Sequence, residues 1–309
     1  MDVLLERMAK IGPKLFALHY KLDTTLADFE KFPLRLSDLI VIDVPNDMCP
    51  EKIVWANSKP LKGVPSFGLS GDLIYEPMWV SDRFVPYTQT IMTVDPSGRG
   101  DDETAVCVAS LCNGYIYIHE LIGYPGGYEK PILRKITKMA IEYGVKLIRV
   151  ESNFGDAMYA QLLIPVVKSM SDGIGVEDFK VTGRKETRIL SALEPVMAQH
   201  RMVFDRRAIC QEETQKQLTR LFDKRGALQH DDRVDCLASA VSFWEDSLSL
   251  DVEKIIMKRQ KKEADSTVKT WLNDDRRMGL FNERLGNILT NRKPEQPVSK
   301  WTRNRMWNK

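Results

Sequence analysis

Apolar and polar positions change rhythm several times along the chain. Thr90 to Val94 is a short apolar run ending at Asp95, and it reads as a buried strand. Ala105–Ala109 and Tyr115–His119 are two further runs of this kind. Between them Asn113-Gly114 is a strong two-residue hairpin signal. Ile132, Ile136, Met139, Ala140 and Tyr143 then recur at helical spacing, predicting a helix over 129–143. Lys146 to Val150 is another buried strand, with Glu151 at its end. A helix is expected from about Asp156, a strand around Phe179–Thr182, a helix from about Lys185 to His200, and a short strand at Met202–Phe204. Two helices, at about 211–223 and 231–248, close the region. Three strands in succession, then alternating helices and strands, specify an α/β domain around a mixed sheet.

The flanks have a different texture. Residues 1–88 start with a helical pattern from Leu4 to Tyr20. Short apolar runs follow, broken by Pro33, Pro45, Pro50, Pro60, Pro65, Pro77 and Pro86. That proline density reads as a linker-like, partly extended segment rather than a compact domain. Inside it, Leu39-Ile40-Val41-Ile42-Asp43 reads as a buried strand. Residues 251–309 are polar, with isolated Trp271, Phe281, Trp301 and Trp307, and are expected to start as a helical extension and lose order further on. The organisation is therefore 1–88, then a domain over 89–250, then a tail over 251–309.

Charge sharpens the last boundary. The 309 residues carry 45 Lys+Arg against 43 Asp+Glu, a net charge of only +2. Residues 251–309 hold 15 Lys+Arg and 8 Asp+Glu, so a tail of +7 offsets a body of −5. A nucleic-acid partner is thus not excluded by the average. Five scattered cysteines and four histidines offer neither a disulfide framework nor a Cys-x-x-Cys zinc site. Glu6 and Arg7 interrupt the first apolar run, so it is not a signal peptide. No apolar stretch approaches the roughly 20 residues needed to span a bilayer. A soluble, intracellular protein is expected.

Three groups of acids occupy predicted strand ends and helix starts. Asp95 precedes Pro96-Ser97-Gly98-Arg99-Gly100. Glu151 stands in Val150-Glu151-Ser152-Asn153. Asp231, Asp232 and Asp235 open the last helix, in His230-Asp231-Asp232-Arg233-Val234-Asp235. At about 100° per residue the last three project from one sector, opposite a stripe of Val234, Leu237, Ala238 and Val241. An Asp in a helix's first turn also serves as a cap or dipole partner, and Asp95 also suits a turn. Gathered in one place, however, such carboxylates repel one another unless a cation neutralises them. Hard oxygen donors select Mg²⁺ or Mn²⁺. Two such ions about 3.5–4 Å apart serve phosphodiester cleavage.

These segments resemble a known family. Asp95-Pro96-Ser97-Gly98-Arg99-Gly100 with Asp102-Glu103-Thr104 resembles the first nuclease motif of the large terminase subunit of short-tailed double-stranded DNA phages. Val150 to Asp156 resembles the second motif, and Ala227 to Asp235 the third. Gly183 to Ile189 resembles the stretch between them, and Pro33 to Val41 the segment leading in. The resemblance covers about residues 15–248. It implies a ribonuclease H-like fold shared with Holliday-junction resolvases, and a two-metal endonuclease that cuts concatemeric DNA as packaging starts and ends.

Carried over by residue, Asp95, Glu151 and Asp232 are the implied catalytic metal ligands for two Mg²⁺ or Mn²⁺, with Asp102 an accessory acid. Asp231 and Asp235 stay open as alternatives. Arg99, Arg184, Lys185 and Arg188 are candidate DNA contacts, although the last three also read as a solvated helix start. His230 is a candidate auxiliary group or a plain helix-start residue. The implied partners are double-stranded DNA, the portal or procapsid, the small terminase subunit and the ATPase part of the large subunit, in the cytoplasm of an infected bacterium. This sequence holds no G-x-x-x-x-G-K-[ST] phosphate loop. Residues 1–88 then correspond to the end of the motor region and its linker. A portal-docking module with little isolated activity and a resolvase-like nuclease are the competing readings.

Overall fold

The structure, a computed structural model, describes residue 28 and residues 31–97, 102–152, 157–248 and 252–289; beyond Thr270, and at Asp246, only the backbone is described. The expected helix at Leu4–Tyr20 and the Gly98–Asp101 loop lie outside the described residues. Chain contacts divide the molecule into two units, Met1–Ile255 and Ile256–Lys309.

The first unit is built on a seven-stranded mixed sheet. Its strands are β1 (Ile40–Ile42), β6 (Gln89–Asp95), β7 (Glu103–Cys112), β8 (Tyr115–Pro125), β9 (Leu147–Glu151), β10 (Gly175–Phe179) and β11 (Met202–Asp205). They lie in the order β1-β11-β8-β7-β6-β9-β10. β6, β7 and β8 form an antiparallel meander at the centre, and the flanking pairs are parallel. The β7–β8 turn is the expected one. Asn113 and Gly114 both take positive φ, 52° and 79°, as a hairpin matched to strand twist requires. Two small ribbons stand outside the sheet: β2 (Met48–Pro50) pairs with β5 (Phe84–Pro86), and β3 (Ile53–Val54) with β4 (Trp79–Val80).

Eight helices are described. They are α1 (Lys130–Glu142), α2 (Met158–Met170), α3 (Lys185–Ala198), α4 (Arg206–Ile209), α5 (Glu212–Thr219), α6 (Asp232–Ser242), α7 (Glu245–Leu248) and α8 (Val252–Leu289). The period-two alternation of the central strands sorts side chains into two cores. Met92, Val94, Val106, Val108, Ile148 and Val150 pack on α1 and α2 through Leu133, Ile136, Leu163 and Val167. Ile91, Ala105, Cys107 and Ala109 face the other way, onto Ile189 and Leu193 of α3 and Val234, Leu237 and Val241 of α6. Each Val, Leu, Ile or Met among them, fully buried, contributes about 1.5–3 kcal/mol relative to exposure.

Several expectations need correction. The predicted strand at Phe179–Thr182 lies earlier, at Gly175–Phe179. It is an edge strand with exposed Glu177 and Asp178, so its polar composition hid it. The single helix over 231–248 breaks around Phe243–Trp244 into α6 and α7. The proline-rich segment before residue 89 does not stand apart from the sheet. β1 pairs with β11, and Leu34, Leu36, Leu39 and Val41 are buried in the α3/α6 core. Buried Asp72 fixes this segment, its carboxylate accepting from Leu36 N at 2.8 Å and Ser37 N at 3.0 Å. Prolines punctuate backbone hydrogen bonding without preventing burial. In the second unit the described structure is the body of α8.

Candidate metal centre

Register decides where the acids meet. Val94 of β6 lies beside Val150 of the parallel strand β9. Both valines point to the α1/α2 core, so Asp95 and Glu151, one residue on, point to the opposite face. That face is covered by α6. Thr93, on the same side as Asp95, hydrogen-bonds the Cys236 carbonyl oxygen at 3.0 Å and so locks α6 against β6. The residue before Cys236, Asp235, is thereby brought to the two strand ends. Asp95, Glu151 and Asp235 each offer a carboxylate oxygen within 4.8 Å of the others.

Asp235, and not Asp232, completes this trio. The two differ by three residues, or about 300° around the helix, which leaves them roughly 60° apart. That offset turns Asp232 toward a second group. Asp102, His230 and Asp232 also place ligand atoms within 4.8 Å of one another. Asp232 Oδ2 accepts from the Glu103 backbone N–H at 3.4 Å, and His230 Nδ1 stands 3.7 Å from Asp102 Oδ1. The buried surface of α6 is also wider than the expected apolar stripe, because every residue from Arg233 to Val241 is buried, Arg233, Asp235 and Ser239 included.

The electrostatics are those of crowded acids. Burial, then Glu151 and Asp235, hold the Asp95 carboxyl well above the usual carboxylate range. Glu151 is pushed up to about 7 by burial first and Asp235 second. Asp232 is raised as well, mainly by burial. Cations from α3 answer these charges. Lys185 Nζ is 2.7 Å from Asp231 Oδ1 and 3.1 Å from Asp235 Oδ2, and Arg188 Nη2 is 2.5 Å from Asp235 Oδ1. Burial would lower the Lys185 ammonium, but Asp235 and Asp231 outweigh it and raise it. Lys185 and Arg188, expected at DNA, therefore face the acids. Arg184 pairs with Asp223. Arg99 lies outside the described residues.

Other residues of the site lie within the quoted motif segments, but their contacts could not be read from sequence. Ser97 N–H donates to Thr104 Oγ1 at 3.0 Å, and both side-chain hydroxyls donate to the Gly126 carbonyl oxygen, at 2.8 and 2.6 Å. These bonds tie the chain just after Asp95 to the β7–β8 hairpin. Arg233, buried, reaches Glu103 Oε2 from Nε at 3.0 Å and Nη2 at 2.9 Å. Serines, threonines and glutamines fill so many roles that only contact reveals this one.

Residues 94–202 match the family described as Terminase Bacteriophage T7, Ribonuclease H-like domain. The large terminase subunit of Enterobacteria phage T3 is 36% identical over 273 residues, which is 82% of this chain and 46% of that protein. Residues 94–202 form a terminase ribonuclease H-like domain. The chain spans under half the length of the T3 relative. Solved structures similar to this terminase domain include the human cytomegalovirus terminase nuclease domain, Mn-soaked and inhibitor-bound, with TM-score 0.43, 14% identity, and coverage of 53% of this chain and 86% of that one. Another is the large terminase nuclease of thermophilic phage G20c, with TM-score 0.40, 15% identity and coverage of 69% and 98%.

The terminase acids fit a hard divalent cation. The donors of the Asp95, Glu151 and Asp235 group are all oxygen and they converge, and the crowding that raises Asp95 and Glu151 is what a bound cation would relieve.

Proposed function

We propose that this terminase domain is a metal-dependent endonuclease that cuts concatemeric double-stranded DNA as genome packaging starts and ends. The convergence of Asp95, Glu151 and Asp235 at one sheet edge carries this reading. These three residues would hold one Mg²⁺ or Mn²⁺. Asp232, with Asp102 and His230, would serve a second. When bound, such ions lower the pKa of water and neutralise charge developing on phosphate oxygens. The chain's own part is to fix the donors on rigid elements. Asp95 and Glu151 stand on strands and Asp235 on a buried helix. Lys185 and Arg188 pair with Asp235, one to each of its two oxygens, and hold them in place. Backbone phosphates would approach past the Ser97–Gly100 segment, with Arg99 as a contact, giving sequence-indifferent, salt-dependent binding.

By the same reading the chain works with the motor part of the large subunit, the small subunit and the portal or procapsid, in the infected bacterial cytoplasm. No helix among the described residues is long and apolar enough to cross a membrane. The test is plasmid nicking. Purified chain should relax or linearise supercoiled plasmid with Mn²⁺ or Mg²⁺ and stop when EDTA is added. Asp95→Ala and Asp235→Ala should abolish cutting. Undiminished cutting by either variant would assign the activity to a contaminant. Cleavage of four-way junctions in preference to linear duplex would favour a resolvase-type enzyme.

A further inference from the structure

The first N–H groups of a helix have no partner within it. An Asp at the N-cap normally supplies one, its side-chain oxygen accepting from the second or third residue. Asp231 holds that position on α6, yet its side chain makes no capping bond. The two N–H groups it would cap, those of Arg233 and Val234, donate instead to Gln217 Oε1, at 3.0 and 3.3 Å. Gln217 comes from α5 and is buried. Gln211, Thr214 and Gln217 recur every third residue, so they share one side of that short helix. Gln211 Oε1 and Thr214 Oγ1 take the Arg233 Nη1 group at 2.7 and 3.4 Å. One polar side of α5 is thus given over to the first turn of α6.

The consequence falls on the acids. Relieved of capping, Asp231 meets Lys185 at 2.7 Å. Lys185 in turn reaches Asp235 at 3.1 Å. We propose that Gln217 is a positioning residue of the metal centre: it caps α6 from a neighbouring helix and so frees Asp231 to hold Lys185 and, through Lys185, keeps Asp235 in its place around the cation. This rests on the endonuclease reading above. Without the Gln217 oxygen, Asp231 is the residue placed to cap its own helix. Its turning inward would release Lys185 and loosen Asp235.

The experiment is Mn²⁺ titration calorimetry on the full chain, with thermal unfolding measured alongside. Gln217→Met, nearly isosteric but without the acceptor, should bind Mn²⁺ about 10–100-fold more weakly. Leu218→Ala is the control. It removes a core side chain from the same helix but touches none of these polar groups. It should lower the unfolding midpoint and leave Mn²⁺ affinity at the wild-type value. If Gln217→Met does not fold, Gln217→Asn, whose amide falls one methylene short, should show the same weakening. Wild-type affinity in a folded Gln217 variant, or equal losses in the Leu218→Ala control, would overturn the proposal while leaving the endonuclease reading intact. Absence of Mn²⁺ binding by the wild-type chain would remove both.

Discussion

A buried carboxylate persists only where its charge is shared, and both Asp235 oxygens are engaged, one by Arg188 and one by Lys185. A buried imidazole obeys the opposite rule, because burial favours its neutral form. His119 is fully buried between β7 and its aromatic neighbours Tyr87 and Tyr143, with Nε2 2.8 Å from Ser110 Oγ. Burial, chiefly, lowers its pKa from 6.5 to about 4. The folded state therefore resists a proton that the unfolded chain accepts. Stability attributable to His119 is complete above pH 6.5 and lost as pH falls toward 4, by about 3 kcal/mol in all. Glu151 acts in the opposite sense over part of this range, since its raised pKa favours the folded state as pH falls. The clean measurement is a difference. Urea unfolding of wild type and His119→Gln, at roughly pH 7 and pH 4.5, should show the larger acid-side loss in wild type. Parallel losses in both proteins would rule His119 out. Sequence exposed which residue types gather here but not which of them meet. Asp231, Asp232 and Asp235 are all on one sector by spacing, and the offset that sends Asp235 to Asp95 and Asp232 to Asp102 depends on how α6 docks. That docking is set by Thr93 and Gln217, which announce nothing in sequence.

At the scale of elements, strands and long helices were legible because their periodicity is strong. β6, β9, α1 and α3 fall where the alternation and helical spacing place them, and the Asn113-Gly114 hairpin is as written. Elements whose stability comes from neighbours were less so. Edge strand β10 is polar, and β1, legible as a buried strand, gave no sign that its partner would be β11. The site's framework also depends on a close approach that no periodicity encodes. A Cβ at Gly123 of β8 would overlap the Glu103 side chain across the β7–β8 ladder. Glu103 is flexible enough to move, but moving it strips buried Arg233 of its carboxylate. Gly123→Ala should therefore destabilise by about 1–3 kcal/mol, the cost of leaving a buried charged donor unpaired. In a double-mutant cycle, Gly123→Ala should cost little once Glu103→Ala has removed the side chain it displaces. Additive losses would mean that the glycine matters for backbone reasons alone.

For the whole molecule, the near-neutral net charge is the sum of an acidic body and a basic tail. The division in charge coincides closely with the structural division that separates Met1–Ile255 from Ile256–Lys309. All the acids of the candidate centre, and α5 with its capping glutamine, belong to the first unit. Along α8 the described lysines of the second unit, Lys258, Lys261, Lys262 and Lys269, are exposed or half-exposed. A chain ending at Ile255 should then keep its Mn²⁺ affinity and nick plasmid at near the wild-type rate in low salt. Two outcomes separate the roles open to the tail. If it docks on the portal or procapsid, truncation abolishes co-sedimentation with procapsids and leaves the salt dependence of DNA binding unchanged. If it clamps DNA, the slope of log affinity against log salt becomes shallower by about 0.9 for each phosphate that the tail had neutralised, and procapsid binding survives. The docking reading is the expected one, because Trp271, Trp301 and Trp307 are spaced along the tail and isolated tryptophans suit protein hot spots. A truncated chain that loses Mn²⁺ binding would instead show that the basic unit completes the centre, and the separation of chemistry from charge would fail.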